Sequence, residues 1–339
     1  MATGRGPRRH AAALVGLAAG TALLCAACWF PYDLDGDGRA DLVYLNSVTD
    51  QWFRYGSPDV IRTGGGAPAM GNYDGQGNWE LAEANRTTGM WTTAGSRGEF
   101  SFPAPATVSA PQTPSGGVPQ PMPVPARYDG NNTTEAAWYR PADAMWFIEG
   151  HAPIQFGAPI PATGPAEFDI PVPGDYNGDG VDELAVYHPS DSTFHIQGDP
   201  NPIPVGHVGD LPAPADFDGN GSTAPATFSV AGATGSGTWH IAGQADVVYP
   251  AATAPPADQA AVIPAPANYD GKGGADPAVT TLDFVTNRST WQISTIGDLQ
   301  LGPANLTDGA NVGGPAMEND LLAKLMIVAT QQYCASNPC

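Results

Sequence analysis

Asp175, Asn177 and Asp179 occupy positions 1, 3 and 5 of the stretch Asp175-Tyr-Asn177-Gly-Asp179-Gly-Val181-Asp-Glu183. Gly180 falls at position 6, where a tight loop must turn. Val181 at position 7 offers a backbone carbonyl, and the Glu183 carboxylate at position 9 can close a cage. Alternating oxygen donors on a short bent loop suit a hard cation, and calcium is the expected ion. The frame recurs at Asp33, Asp35 and Asp37, with the Arg39 carbonyl at position 7 and Asp41 at position 9. That copy is the most complete, with four carboxylates. A third copy has Asp216, Asp218 and Asn220 but Ala224 at position 9, so it keeps half a cage.

Three further copies are poorer. Asn72, Asp74, Gln76 and Glu80 include one carboxylate in the first five positions. Arg127 precedes Asp129, Asn131, Thr133 and Glu135, and a cation at position 1 should repel calcium. In the last copy (Asn268, Asp270, Lys272, Asp276) the Lys272 ammonium is expected in the ion's place, bridging Asp270 and Asp276. For any single Asp-x-Asp-Gly the competing reading is an Asx-turn with no ion. An EF-hand or a dockerin would place helices beside the loop, whereas strand-like runs follow here.

These loops are positioned by a repeat. An aromatic sits beside position 1 in every copy: Tyr32, Tyr73, Tyr128, Tyr176, Phe217 and Tyr269. A second large aromatic follows 19 residues after position 1 at Trp52, Trp91, Trp146 and Phe194, and 23 residues after it at Trp239 and Trp291. A four-residue insertion in one hairpin accounts for the longer step. Two residues beyond these markers stand Arg54, Thr93, Ile148, Ile196, Ile241 and Ile293. In a strand, i and i+2 share a face, so marker and Ile should pack between neighbouring sheets.

The run Pro171-Val-Pro-Gly-Asp175-Tyr-Asn-Gly-Asp-Gly-Val-Asp-Glu183-Leu-Ala-Val-Tyr-His-Pro189, with Phe194-His-Ile-Gln-Gly198, resembles the FG-GAP/VCBS repeat family. The resemblance spans about residues 28 to 302. It implies an all-β fold: one β-propeller of six recognisable four-stranded blades, with room for a seventh, whose calcium loops brace hairpins. It implies no particular ligand.

Composition agrees. The 339 residues include 42 Gly and 35 Pro, only 14% are charged, and the net charge is −21. So much Pro favours short strands over long helices. The acidic balance argues against nucleic acid and anionic membrane surfaces as partners. Residues 1–27 read as an export signal: Arg5, Arg8 and Arg9, then an apolar run from Ala11 to Leu24 too short to span a membrane comfortably. Cleavage before Cys28 leaves two readings open, plain secretion and a lipoprotein acylated at Cys28. In the second, that lipid would be the chain's only contact with a membrane. The propeller is expected over 28–302, and a closing strand or decayed seventh blade with a short helix over 303–339. A secreted or surface-attached monomer follows.

Function is read as a calcium-dependent binding or adhesion module for a glycan or extracellular protein. The alternatives are an extracellular hydrolase or lyase on the same scaffold and a purely structural envelope protein. An inter-blade His/Asp cluster would favour the enzyme. No His-Glu-x-x-His and no Gly-x-Ser-x-Gly occurs. His195 and His240 hold equivalent repeat positions, which points to structural or surface roles, and the regular spacing of the Trp residues points to core.

Overall fold

Short runs of alternating apolar and polar residues, cut by Gly, Pro and Asx, leave room only for strands of two to six residues. The computed structural model describes residues 33–46, 51–54, 60–62, 66–108, 120–161, 168–231, 236–249, 260–283 and 288–301. All regular structure among them is β. The expected export signal, Cys28 and the 303–339 tail with its helix lie outside the described residues.

The strands form six antiparallel sheets, each a meander in chain order. Sheet 1 comprises Val43–Asn46, Gln51–Arg54 and Val60–Arg62. Sheet 2 comprises Ala67–Pro68, Ala82–Ala84, Met90–Thr93 and Glu99–Ser101, and sheet 3 Met122–Pro123, Ala137–Arg140, Met145–Ile148 and Ile154–Gln155. Sheet 4 comprises Ile170–Pro171, Ala185–His188, Thr193–Ile196 and Ile203–Pro204. Sheet 5 comprises Leu211–Pro212, Ala226–Ala231, Ser236–Ile241 and Val247–Tyr249, and sheet 6 Ala260–Pro264, Ala278–Asp283, Arg288–Ile293 and Gly297–Leu301. The expectation of six four-stranded blades is therefore corrected. Five sheets are four-stranded blades; sheet 1 has three strands among the described residues.

The longer repeat step has a simple origin. The central hairpins of sheets 5 and 6 use six-residue strands, where sheets 3 and 4 use four. The marker strands alternate as read: in Thr193–Ile196, Phe194 and Ile196 are buried while Thr193 and His195 are half-buried. Trp52, Trp91, Trp146, Phe194 and Trp239 are all buried. They stitch sheet to sheet. Trp91 of sheet 2 meets Trp138 of sheet 3 edge-on, centroids 5.3 Å apart. Trp146 packs with Leu184 and Val186 of sheet 4, and Val279 of sheet 6 joins the Phe228–Trp239 cluster of sheet 5. The Pro-rich segment after Phe102 is tied to this core, since the Phe102 carbonyl accepts the indole N–H of both Trp91 and Trp138.

The loops close a ring. In each, the position-8 N–H donates to the position-1 carbonyl of a neighbouring loop: Trp79 to Asp33, Thr134 to Asn72, Asp182 to Arg127, Thr223 to Asp175 and Ala275 to Asp216. Ala40 of the first loop then donates to Asn268 of the sixth at 2.7 Å. Sheets arranged around such a ring, each packing on the next, make a β-propeller. Loop 6 abuts loop 1 directly, so no seventh loop stands between them.

Candidate metal centres

Loops 2 to 6 are each pinched shut by an antiparallel bridge between the residue before position 1 and position 9, as in Gly174↔Glu183 and Ala267↔Asp276. The aromatic at position 2 anchors the base: the hydroxyls of Tyr73, Tyr128, Tyr176 and Tyr269 each donate to the carbonyl four residues upstream. In every loop but the third, positions 4 and 6 turn with positive φ, 78° at Gly178 and 89° at Gly180, a region open to Gly and costly for other residues; loop 3 has Asn132 at position 6.

Within this frame the position-1 carboxylate organises the loop. Asp175 Oδ1 accepts the N–H groups of Gly178 and Asp179, and Oδ2 accepts that of Gly180. Asp33 repeats this with Gly36, Asp37 and Gly38, and Asp216 with Gly219, Asn220 and Gly221. The outer carboxylates then converge. In loop 4, carboxylate oxygens of Asp175, Asp179 and Glu183 lie within 4.8 Å of one another, and in loop 1 those of Asp33, Asp35 and Asp37 do the same. Asn177 sits beside the first set, its amide donating to Glu183 Oε1 at 2.5 Å. In loop 5, Asp218 and Asn220 stay close, the Asn220 amide donating to Asp218 Oδ2 at 3.1 Å, with Ala224 at the closing position.

Position 9 also ties the loop to its own base. One oxygen of Asp41, Glu135, Glu183 and Asp276 accepts the position-2 N–H at 2.7 to 2.9 Å. Burial raises the pKa of the Asp41, Glu135 and Glu183 carboxyls, and of Glu80 in loop 2. In these groups desolvation outweighs the backbone hydrogen bonds that favour the anion.

Two loops carry cations of their own. The Arg54 guanidinium reaches into loop 1, 2.9 Å from Asp35 Oδ2 and 3.6 Å from Asp41 Oδ2. Sequence reading placed Arg54 only in the strand pattern. The signal was present, because Arg54 is the one charged residue at the second position beyond a marker aromatic. In loop 6, Lys272 pairs with Asp270 at 3.0 Å and lowers that carboxyl's pKa. The expected bridge is corrected on its other side: Asp276 Oδ2 is held by the N–H groups of Tyr269 and Asp270. In loop 3, Arg127 is fixed through its backbone, donating its N–H to Asp182 Oδ2 at 2.7 Å. The oxygens there are engaged internally, with Asn131 donating to Asp129, and Thr133 donating to Asn131 and Glu135.

A different cluster lies between sheets 4 and 5. Atoms of His207, Asp210 and His240 fall within 4.8 Å of one another. His207 comes from the crossover between the two sheets, Asp210 precedes Leu211, and His240 faces Thr227 across the central hairpin. Sequence reading gave His240 a structural or surface role and did not place it with His207 or Asp210.

No protein-family model and no curated protein matches the chain. Among solved structures, virginiamycin B lyase from Staphylococcus aureus is similar with a TM-score of 0.38 and 8% identity, over 80% of this chain and 86% of that one. A catalytically inactive variant of that lyase with quinupristin gives 0.36 and 8%, over 82% and 88%. The propeller assignment rests on the sheets and the closed ring of loops.

Proposed function

We propose that the chain is a calcium-binding β-propeller of the FG-GAP/VCBS kind, acting outside the cell as a binding module for a glycan or an extracellular protein. The observation that carries this reading is the convergence of Asp175, Asp179 and Glu183 on one bent loop, repeated by Asp33, Asp35 and Asp37. Three carboxylates, the Asn177 carbonyl and the Val181 backbone carbonyl are the donor set calcium takes. The Asp216, Asp218 and Asn220 loop is a weaker third site. Calcium in these loops would brace the hydrogen-bonded ring, so its role is structural. An export signal and a lipid at Cys28 fit the same reading.

The test is binding of the mature chain (28–339, Cys28→Ser) to a panel of glycans and cell-wall polymers, with calcium and with chelator. Saturable, calcium-dependent binding to one ligand class is expected. Binding that chelator leaves unchanged, with a melting temperature equally unmoved, defeats the calcium part. A calcium-sensitive melting temperature with no ligand in any class defeats the glycan part. The inter-sheet His207–Asp210–His240 group favours a second reading, an extracellular hydrolase or lyase on the same scaffold.

A further inference from the structure

The interfaces of sheets 3 with 4 and of sheets 4 with 5 are built on one frame. In each, a buried Asp stands just before the first strand, Asp169 and Asp210. Each accepts the N–H of a residue that follows a positive-φ glycine in the crossover: Ala158 after Gly157, and His207 after Gly206. At the first interface the Asp is answered directly, because His188 Nδ1 meets Asp169 Oδ1 at 2.6 Å. At the second the equivalent of His188 is the small Ser229, whose hydroxyl donates to Asp210 Oδ1 at 2.6 Å. His207 takes the place of Ala158. Two imidazoles therefore face Asp210 Oδ2 from opposite elements, His207 Nδ1 at 3.8 Å and His240 Nε2 at 3.9 Å.

Those distances are too long for hydrogen bonds. They lie close to the spacing of two ligands on one ion, about 3.4 Å for a tetrahedral centre with bonds of about 2.1 Å. The proton inventory points the same way. His240 Nδ1 lies 2.9 Å from Asp246 Oδ1, so the carboxylate places the imidazole proton on Nδ1 and turns the Nε2 lone pair inward. Ser229 has one proton, and it goes to Asp210. Its oxygen nonetheless sits 3.1 Å from His240 Nε2. Ser229 Oγ and His240 Nε2 thus face each other with lone pairs, and Asp210 Oδ2, which accepts the His207 N–H at 2.8 Å and the Thr227 hydroxyl at 3.4 Å, lies beside them. A carboxylate on the far nitrogen of a ligating imidazole is also the usual outer support of a metal site.

We infer that His207 Nδ1, His240 Nε2 and Asp210 Oδ2 form a binding site for a zinc-class divalent transition metal between sheets 4 and 5, with Asp246 orienting His240. Two imidazoles and one carboxylate select such an ion over calcium, which takes oxygen. Three protein ligands leave a position for water or a ligand oxygen. The site opens to solvent on the His207 side, where that side chain is 76% exposed, while Asp210 is 7% exposed. The ion would pin the crossover to the sheet 5 hairpin and supply a Lewis acid at the surface. This deepens the enzyme reading and shares no residue with the calcium loops.

The experiment uses the full mature chain, stripped of metal and then saturated with calcium so that the loops are filled first. Zn2+ is titrated against a chromophoric chelator, and Co2+ is added separately to read its visible spectrum. One Zn2+ per chain is expected, with a Co2+ spectrum typical of nitrogen and oxygen ligands. His207→Ala should weaken Zn2+ at least tenfold, and Asp246→Asn by about 10- to 100-fold. His188→Ala at the equivalent interface should leave it unchanged. His207→Ala keeps its backbone N–H on Asp210 and removes an exposed side chain, so it decides the matter even where His240→Ala fails to fold. Absence of stoichiometric Zn2+, or binding that His207→Ala and Asp246→Asn leave intact, overturns the site. The cluster would then be His240 held by its contacts to Asp246 and Ser229.

Discussion

Loop 1 and loop 4 share a backbone, a position-1 Asp that gathers three N–H groups, and glycines at positions 4 and 6. Loop 1 has the richer ligand set, four carboxylates against three and an amide. Yet loop 4 is the one we expect to be the better cation site. Its closing Glu183 belongs to the converging group, whereas the closing Asp41 of loop 1 and its Asp35 both face the Arg54 guanidinium. A side chain from a neighbouring strand has answered the charge that an ion would otherwise answer. Counting ligands along a loop leaves out the net field at the site, on which affinity depends, and that field favours loop 4.

The largest test of this contrast is Asp175→Ala. It removes a buried carboxylate and leaves three loop N–H groups without their acceptor. Urea denaturation in chelator should show a loss of about 2–4 kcal/mol, and calcium binding at loop 4 should disappear. The half-buried Asp33 should cost less when replaced by Ala. Equal losses would mean that the two loops are energetically alike.

Next in size is the guanidinium itself. Calorimetry should resolve two classes of calcium site, loop 4 the tighter. Arg54→Gln should tighten the weaker class about tenfold, equivalent to about 1.4 kcal/mol. An unchanged weaker class would show that Arg54 swings aside without cost. Gly180→Ala and Gly38→Ala sharpen the comparison from the other side. Both glycines have positive φ, 89° and 83°, and a Cβ on either would meet nothing within 4 Å. Each should cost about 1 kcal/mol of purely conformational origin, equal in the two loops.

The smallest effect is expected in loop 3. Burial raises the Glu135 carboxyl above its ordinary 4.5. A carboxyl whose folded pKa exceeds its unfolded one binds more protons in the folded state. Its contribution to stability is therefore present below the unfolded pKa and declines as pH rises through the folded one. Glu135→Gln, which keeps a carbonyl for the Tyr128 N–H, should flatten that decline and be neutral or slightly stabilising at pH 7. A variant markedly less stable at pH 7 would show that the anion is required, as it would be if loop 3 held a cation.

Much was legible in the chain because it is local. Alternate Asp and Asn, glycines at two fixed positions, and a strand of period two are short-range properties, and the copies state them again, the third with Asn132 at the second glycine position. The repeat also carried the burial of Trp91, Trp146 and Phe194, since a residue recurring at one strand position must face the same neighbour. Calcium itself remains a reading of donor chemistry. What the chain order could not show is which copies are altered by groups outside their own loops.

From sequence alone followed the all-β repeat, the six loops, the positions of their candidate ligands and the four-residue lengthening of two hairpins. Tertiary structure alone decided three things: that loop 6 closes on loop 1, that Arg54 points into the first cage, and that His207, Asp210 and His240 meet. The physical reason is range. A loop's conformation is set by hydrogen bonds over three to seven residues, which sequence spacing displays. The charge at a site is set by every group within a few ångströms, and those arrive from a return strand or a neighbouring sheet whose rotation about the ring no local pattern records.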